Sequence, residues 1–212
     1  MYVKHLKLIL IGVTLIFISS GCVPGIPHTL VPDYQSRTPT SVAVLPVQNE
    51  TVDMDAPQLF RPKLFNIIPY KGYLSPPIAE IDSKLAEKDI RDAGQLNSMT
   101  PQEIGKLLNV DAVLYSTVTE WSTTYLVVYT SVKVGAKFQL IDTKTGEQLW
   151  ESEHTVAERK FGLDRDELIK NVAFAALKKY DPYAQTVINT AFSTLPNGPK
   201  YVPPAKGSCL TP

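Results

Sequence analysis

The alternation of apolar and polar residues between Val110 and Glu151 predicts the central β-sheet of this chain. Residues Ala112 to Trp121 alternate, which places successive side chains on opposite faces of a strand. A second run, Tyr125 to Ile141, is rich in valine, threonine and tyrosine, as strands are. The turn Asp142 to Gly146 then leads into a third strand, Glu147 to Val156. Three successive strands of this kind form a β-meander.

A further strand is predicted at Ser41 to Val47, where a continuous apolar run indicates burial on both faces. Pro46 should mark its end, because proline cannot donate a hydrogen bond within a sheet. The loop Gln48 to Thr51 leaves the carboxyl edge of that strand, where many α/β proteins bind ligands. No glycine-rich phosphate loop follows it, so we interpret it as an ordinary exit loop. Tyr73-Leu74 is predicted to add a short strand.

Helical periodicity predicts helices that cover the sheet at Pro62 to Ile68, Ser75 to Gly94, Thr100 to Asn109, Asp164 to Tyr180 and Ala184 to Leu195. The first is predicted to begin at Pro62, because a proline inside a helix costs about 3 kcal/mol. Thr100 and Glu103 form a capping box at the start of the third. Met54, Phe60 and Phe65 are expected in the core.

The amino terminus has the pattern of a bacterial secretory signal. Lys4 and Lys7 precede an apolar run, Leu8 to Ile18, which is shorter than the roughly 20 residues that a membrane-spanning helix needs. Ser19-Ser20-Gly21-Cys22 resembles the lipobox of bacterial lipoproteins, although Ser19 stands where leucine is usual. The resemblance implies removal of residues 1–21 and acylation of Cys22, and Val23 points to the outer membrane. The alternative is ordinary cleavage nearby, with Cys22 free or in a disulfide.

The mature chain is predicted to have three parts. Residues 22–40 contain four prolines and form an extended tether that holds the domain some tens of ångströms from the membrane, at about 3 Å per residue. Residues 41–195 form a single domain, and residues 196–212 are a proline-rich tail. The tail carries Cys209, for which a free thiol is favoured over a link to Cys22 or to another chain.

Composition and motifs give no indication of catalysis. The signal holds two of the 21 basic residues and none of the 21 acidic ones, so the mature net charge of −2 does not suggest nucleic acid or an anionic membrane surface as partner. We find no nucleotide-binding or hydrolase motif, and His28 and His154 have no partners at metal-ligand spacing. Ser152 and His154 share one face of a predicted strand, which we interpret as a solvated face. We therefore predict no catalytic residue, cofactor or metal.

Aromatic residues around the first hairpin are the remaining candidates for a binding surface. Trp121, Tyr125 and Tyr129 lie close together in the sequence, and aromatic residues are enriched in protein interfaces. Packing beneath a neighbouring helix is the alternative. The sequence leaves both open.

Two passages carry a family resemblance: Val42 to Thr51, and Val110 to Tyr115 followed by Phe138 to Trp150. They resemble the opening strand and the meander of TolB N-terminal-like and CsgG-like domains. Over Ala43 to Glu153 the chain is most similar to bacterial lipoproteins of unknown function with this fold. The resemblance implies an α/β domain of the α+β type, with a mixed, largely antiparallel sheet of about five strands and packed helices.

The resemblance also implies a function without catalysis. Relatives of this fold activate peptidoglycan synthases, build secretion pores or serve as accessory parts of envelope transport systems. We therefore expect a periplasm-facing outer-membrane lipoprotein that docks another envelope protein in a transport or envelope-maintenance complex. The alternatives are a CsgG-like oligomeric secretion component and a regulator of a peptidoglycan synthase. Pore-forming members insert two long hairpins, whereas only Tyr125 to Val134 is unusually long and apolar here.

Acylation of Cys22 is directly testable. Each buried methylene of an acyl chain stabilises membrane binding by about 0.8 kcal/mol, so several chains fix a protein that lacks a membrane helix. We expect labelled palmitate to be incorporated into the wild type and a Cys209→Ser control. The Cys22→Ala variant should not be labelled and should leave the membrane fraction. A wild type that is unlabelled and soluble would contradict the prediction.

Overall fold

The computed structural model describes residues 25–126, 129–161 and 180–203. The predicted signal peptide, Cys22 and Cys209 lie outside these residues, as does the predicted helix at Asp164 to Tyr180 except for Tyr180 itself.

The described residues form one sheet of six strands with helices on both faces. The elements are β1 His28–Leu30, β2 Val42–Val44, β3 Gln48–Asn49, α1 Ala56–Tyr70, α2 Ile78–Ala86, α3 Pro101–Leu108, β4 Ala112–Leu126, β5 Tyr129–Asp142, β6 Gln148–Phe161 and α4 Asp181–Phe192. The strand order is β1-β6-β5-β4-β2, with β3 also paired to β4. Strands β2 and β3 run parallel to β4 and the other pairs are antiparallel, so the predicted mixed, largely antiparallel α/β fold is confirmed.

The meander is longer than predicted at its first hairpin. Strand β4 continues past Trp121 to Leu126, which pairs with Tyr129 at the start of β5. The sequence between them, Val127-Val128, lacks the glycine or asparagine that marks a tight turn. A β-bulge interrupts β4 between Val118 and Glu120. Strands β4 to β6 therefore extend beyond the part of the sheet that β1 and β2 flank.

Two helical layers enclose the proximal part of the sheet. Helices α1 and α4 pack on one face around Phe138, whereas α2 and α3 pack on the other with Ala43 and Val113. Strand β2 is fully buried between the layers, as its apolar run predicts. Thr100 and Glu103 cap α3 reciprocally, which confirms the predicted capping box.

Helix α1 corrects the prediction that a helix begins at Pro62. It starts at Ala56 and includes Pro62 and Pro69. Its buried side chains recur every four residues: Ala56, Phe60, Leu64 and Ile68. Each large apolar side chain stabilises the fold by about 1.5–3 kcal/mol when buried, which together outweighs the roughly 3 kcal/mol cost of an internal proline.

Other element boundaries also differ from the predictions. Met54 is 78% exposed and is not a core residue, whereas Phe60 is buried as predicted. Helix α2 ends at Ala86 and not at Gly94, and a separate 3-10 helix follows at Ala93–Ser98. The second of these helices has its own capping box, from Asp92.

The amino-terminal segment is part of the domain, so the prediction of a tether up to residue 40 is wrong from His28 onward. Strand β1 pairs with β6, and Tyr34 is only 1% exposed. The Tyr34 hydroxyl lies 2.7 Å from that of Tyr73, which donates to the Pro196 carbonyl at 2.6 Å. Because Tyr73 has one hydroxyl hydrogen, Tyr34 must donate to Tyr73. This chain of hydrogen bonds joins both ends of the described chain to the region after α1.

The buried tyrosines predict a loss of stability at alkaline pH. Burial raises the pKa of Tyr34 to about 12, from an unfolded value of about 10. The neutral hydroxyl therefore stabilises the fold fully below pH 10, and this stabilisation is lost as the pH rises through about 12. The expected loss is about 2–3 kcal/mol at this group.

We expect a Tyr34→Phe variant to lose less stability than the wild type between pH 9.5 and 11.5, as measured by urea unfolding. The matched control is Tyr70→Phe, since Tyr70 is 55% exposed, and it should follow the wild-type profile. Parallel profiles for Tyr34→Phe and wild type would contradict the assignment.

Candidate functional site

A groove of about 610 Å³ lies where the chain leaves β2, between the start of α1 and the segment after α2. Its lining residues are Pro46, Val47, Gln48, Asn49, Met54, Pro57, Gln58, Arg61, Pro62, Ile78, Arg91, Asp92, Ala93 and Gly94. The loop interpreted from the sequence as an ordinary exit loop thus forms one wall of a concave surface. Grooves lined mainly by apolar residues with a few polar groups are the usual form of binding sites.

The polar groups of the groove are held by the fold. Asn49 closes the loop after β3: its amide donates to the Asp53 carbonyl at 2.8 Å, and its oxygen accepts from Thr51. The Arg61 guanidinium donates to the Val44 carbonyl at 3.0 Å and pairs with Asp82 at 2.7 Å. Arg61 therefore satisfies the free edge of β2 and fixes α1 against α2.

Exposed side chains lie at the rim of the groove, among them Met54 and Arg91. Met54 is 78% exposed, and Arg91 is exposed without an ion pair to any other described residue. Next to Met54, Val52 is 97% exposed but does not line the groove. Exposed apolar side chains grouped around a groove and rimmed by polar residues are typical of interaction sites.

A second polar cluster surrounds the turn between β5 and β6. One oxygen of Asp142 accepts from the backbone N–H groups of Lys144 and Thr145, and Gly146 supplies the positive φ of +78° that the turn needs. Arg37 binds this turn through Thr145 at 2.9 Å and Glu147 at 2.7 Å. The hydrogen bond to the Glu147 carboxylate raises the pKa of the Arg37 guanidinium.

Asp111 fastens the same region to the start of β2. One of its oxygens accepts from the N–H of Thr40 and from the N–H and hydroxyl of Ser41, all within 3.1 Å. Thr143 donates to the carbonyls of Val110 or Asp111, and a Cβ on Gly105 would lie 2.2 Å from its side chain, so α3 packs directly on the turn. These residues join structural elements, and their charged groups are paired with one another.

The sequence matches the family described as "Putative lipoprotein GNA1162-like" over residues 31–193. The chain belongs to this lipoprotein family. The cluster around Asp111 and the turn after β5 both lie inside the matched region, as does the groove.

One relative and two solved structures can be aligned with most of the chain. "Putative lipoprotein NMB1124/NMB1162" of Neisseria meningitidis serogroup B (strain ATCC BAA-335 / MC58) is 25% identical over 154 residues, which is 72% of each chain. The crystal structure of lipoprotein GNA1162 from Neisseria meningitidis has a TM-score of 0.55 at 25% identity, and covers 65% of this chain and 96% of its own. The PelC dodecamer from Paraburkholderia phytofirmans has a TM-score of 0.45 at 20% identity, covering 78% and 95%.

The aromatic residues predicted as an interface do not form one surface in this GNA1162-like protein. Trp121 is 3% exposed and packs against Tyr180 at 4.6 Å, so its assignment to a surface is wrong. Tyr129 is partly exposed, with its ring 5.1 Å from that of Phe161. Tyr125 pairs with Thr130 in the backbone ladder, and its side chain lies outside the described residues. Trp121 instead follows the alternative of packing beneath a neighbouring helix, since its ring also lies 6.2 Å from that of Phe60 in α1.

Ser152 and His154 share a face of β6, as predicted, but this face is not solvated at Ser152. Ser152 is 1% exposed and donates to the Pro27 carbonyl at 3.0 Å, so its hydroxyl holds the segment that enters β1. Burial lowers the pKa of His154. Among the described residues, no group of three or more His, Cys, Asp or Glu could hold a metal ion.

Sequence reasoning missed the groove for two reasons. It began the first helix at Pro62, which left Arg61 outside any element, and it assigned Met54 to the core. The alternation Val52-Asp53-Met54-Asp55 carried the missing signal, because aspartates on both sides of Met54 favour a solvated segment over a core strand.

Asp111 provides a test of the structural cluster. Asp111→Ala leaves three donors of Thr40 and Ser41 without their acceptor, and we expect the free energy of unfolding to fall by about 1–3 kcal/mol. Lys144→Ala removes only an exposed ion pair at 3.8 Å and should change it by less than about 0.5 kcal/mol. Urea unfolding of both variants measures the difference. Equal effects would show that Asp111 does not fasten the segment.

Proposed function

We propose that this protein is a membrane-anchored envelope lipoprotein that docks another envelope protein, as a non-catalytic accessory component of a transport or envelope-maintenance complex. The groove beside β2 and α1 carries the proposal, because it combines an apolar lining with Met54 exposed at its rim.

The groove suits a protein segment better than a reacting substrate. Its half-buried polar groups already have partners within the fold. Asn49 closes its own loop, and Arg61 donates to the Val44 carbonyl and pairs with Asp82. The groups left to a ligand are apolar side chains and the exposed polar side chains of Gln48, Arg91 and Asp92. An apolar side chain on a partner, flanked by polar groups, would match this arrangement.

The proposed location follows from the amino terminus. Acylation of Cys22 would anchor the chain, and Val23 favours the outer membrane, with the domain in the periplasm. Among the described residues, no helix is long and apolar enough to cross a membrane. The membership in a lipoprotein family supports this location.

Site-specific photocrosslinking in intact cells tests the docking site. A photoreactive residue at Met54 should give an adduct of discrete mass with an envelope protein, whereas one at Val52 should not, since Val52 does not line the groove. Adducts of equal yield at both positions would contradict a docking site in the groove.

A pair of neighbouring variants sharpens the test. Ile78→Glu places a carboxylate in the groove at the first position of α2, where an acid suits the helix terminus. It should remove the adduct at position 54 by at least about tenfold, because burying an unpaired carboxylate costs more than the 1.4 kcal/mol that tenfold requires. Ala79→Glu is the matched control, since Ala79 is exposed and outside the groove, and the adduct should persist.

A further inference from the structure

The segment that follows α4, residues 196–200, packs against residues 71–73, which follow α1. We call this contact the carboxyl-terminal clasp. It contains three hydrogen bonds: from the Tyr73 hydroxyl to the Pro196 carbonyl at 2.6 Å, from the Gly198 N–H to the Lys71 carbonyl at 2.8 Å, and from the Lys200 N–H to the Gly72 carbonyl at 3.0 Å. The first two of these hydrogen bonds lie on either side of Asn197.

The close contact within the clasp requires glycine at position 198. A Cβ there would lie 2.6 Å from the carbonyl oxygen of Gly72, which belongs to the backbone and cannot rotate away as a side chain could. Gly198 is buried, whereas Asn197 is exposed. The packing therefore places an exposed asparagine directly before a glycine.

This pair of residues is chemically reactive, because glycine has no Cβ to hinder the approach of its backbone nitrogen to the preceding side chain. The Gly198 nitrogen loses its proton to solvent and bonds to Cγ of Asn197, while the Cγ–Nδ2 bond breaks and the amide leaves as ammonia. Water then opens the resulting cyclic imide. Opening at one carbonyl gives aspartate, and opening at the other gives isoaspartate, in which the main chain runs through the former side chain.

The folded domain opposes this reaction at the attacking atom. The Gly198 N–H donates to the Lys71 carbonyl, so its proton cannot leave until that hydrogen bond opens. The hydrogen bond from Tyr73 holds Pro196 and restricts the backbone rotation that would bring the nitrogen to Cγ. We propose that Asn197 is a modification site that stays intact while the clasp is closed and deamidates when the clasp opens.

Refolding cannot reverse the change. Isoaspartate inserts an additional methylene into the main chain between the Pro196 carbonyl and the Gly198 N–H, whose partners lie at fixed positions in residues 71–73. Both hydrogen bonds therefore cannot form again in the same register. Folding competes with modification, and chains that remain open become permanently altered at this position.

Peptide mass spectrometry of the full chain tests the proposal. We would incubate the protein at mildly alkaline pH, either folded or unfolded in guanidinium chloride, and measure the conversion of Asn197 to aspartate and isoaspartate. The folded wild type should react at least about tenfold more slowly than the unfolded chain, because reaction requires local opening. Equal rates in the two states would overturn the inference.

Two tyrosine variants test whether the clasp provides the protection. Tyr73→Phe removes the donor to Pro196 and should raise the rate in the folded protein by about fivefold, as expected for the loss of one hydrogen bond. Tyr34→Phe is the matched control, since it removes a buried hydroxyl that contacts Tyr73 but leaves the clasp in place, and it should react at the wild-type rate. Equal rates for the two variants would overturn the role of the clasp.

Hydrogen exchange of the Gly198 amide provides a measurement that needs no variant. In the folded wild type this amide should exchange at least about tenfold more slowly than in the unfolded chain, because its N–H is bonded to Lys71. Exchange at the unfolded rate would show that the clasp is open in solution, and would overturn the inference even if Tyr73→Phe does not fold.

Discussion

The packing of Phe138 positions the two helices on one face of the sheet, including the helix that forms a wall of the groove. Its ring lies 5.3 Å from Phe192 of α4, 6.0 Å from Phe60 of α1 and 6.4 Å from Trp150 of β6, with no exposed surface. Aromatic contacts of this kind contribute about 0.5–1.5 kcal/mol each beyond the area that they bury. They seat both helices on one face of the meander. The groove exists because α1, seated in this way, presents Arg61 and Pro62 beside the exit from β2.

The second constraint is the attachment of the amino-terminal segment. Strand β1 fastens it to β6, and the Tyr34 hydroxyl fastens it to the region after α1. The Arg37 guanidinium fastens it to the turn after β5. A chain anchored at Cys22 would thus be connected to the domain through β1, the edge strand of the sheet. Any force on the lipid anchor would be transmitted to β6, in shear along three residue pairs.

Sequence patterns correctly predicted the elements that neighbouring residues specify by themselves. The apolar run at Val42 to Val44, the capping box at Thr100 and the Gly146 turn all appear as predicted. The patterns failed where a long-range contact decides the outcome: Pro62 lies inside α1 because Phe60 and Leu64 bury their side chains against the sheet. Tyr34 sits among prolines and polar residues, and only its distant partner Tyr73 makes it a core residue. The groove follows from such contacts and has no local signature of its own.

The bulge in β4 divides the meander into two parts that differ in how helices cover their faces. Before Val118 the sheet is enclosed by helices on both faces, whereas beyond Glu120 the open face carries polar side chains such as Ser122. At the boundary, Gly135 leaves room on one face for the side chains of Thr119 and Thr155, while its neighbours Val134 and Ala136 continue the core on the other face. Because a strand repeats every two residues, adding two residues to each of the three strands would lengthen the outer part by about 7 Å and keep every side chain on its face. The length of the outer part of the meander is thus a dimension that evolution can adjust independently of the core.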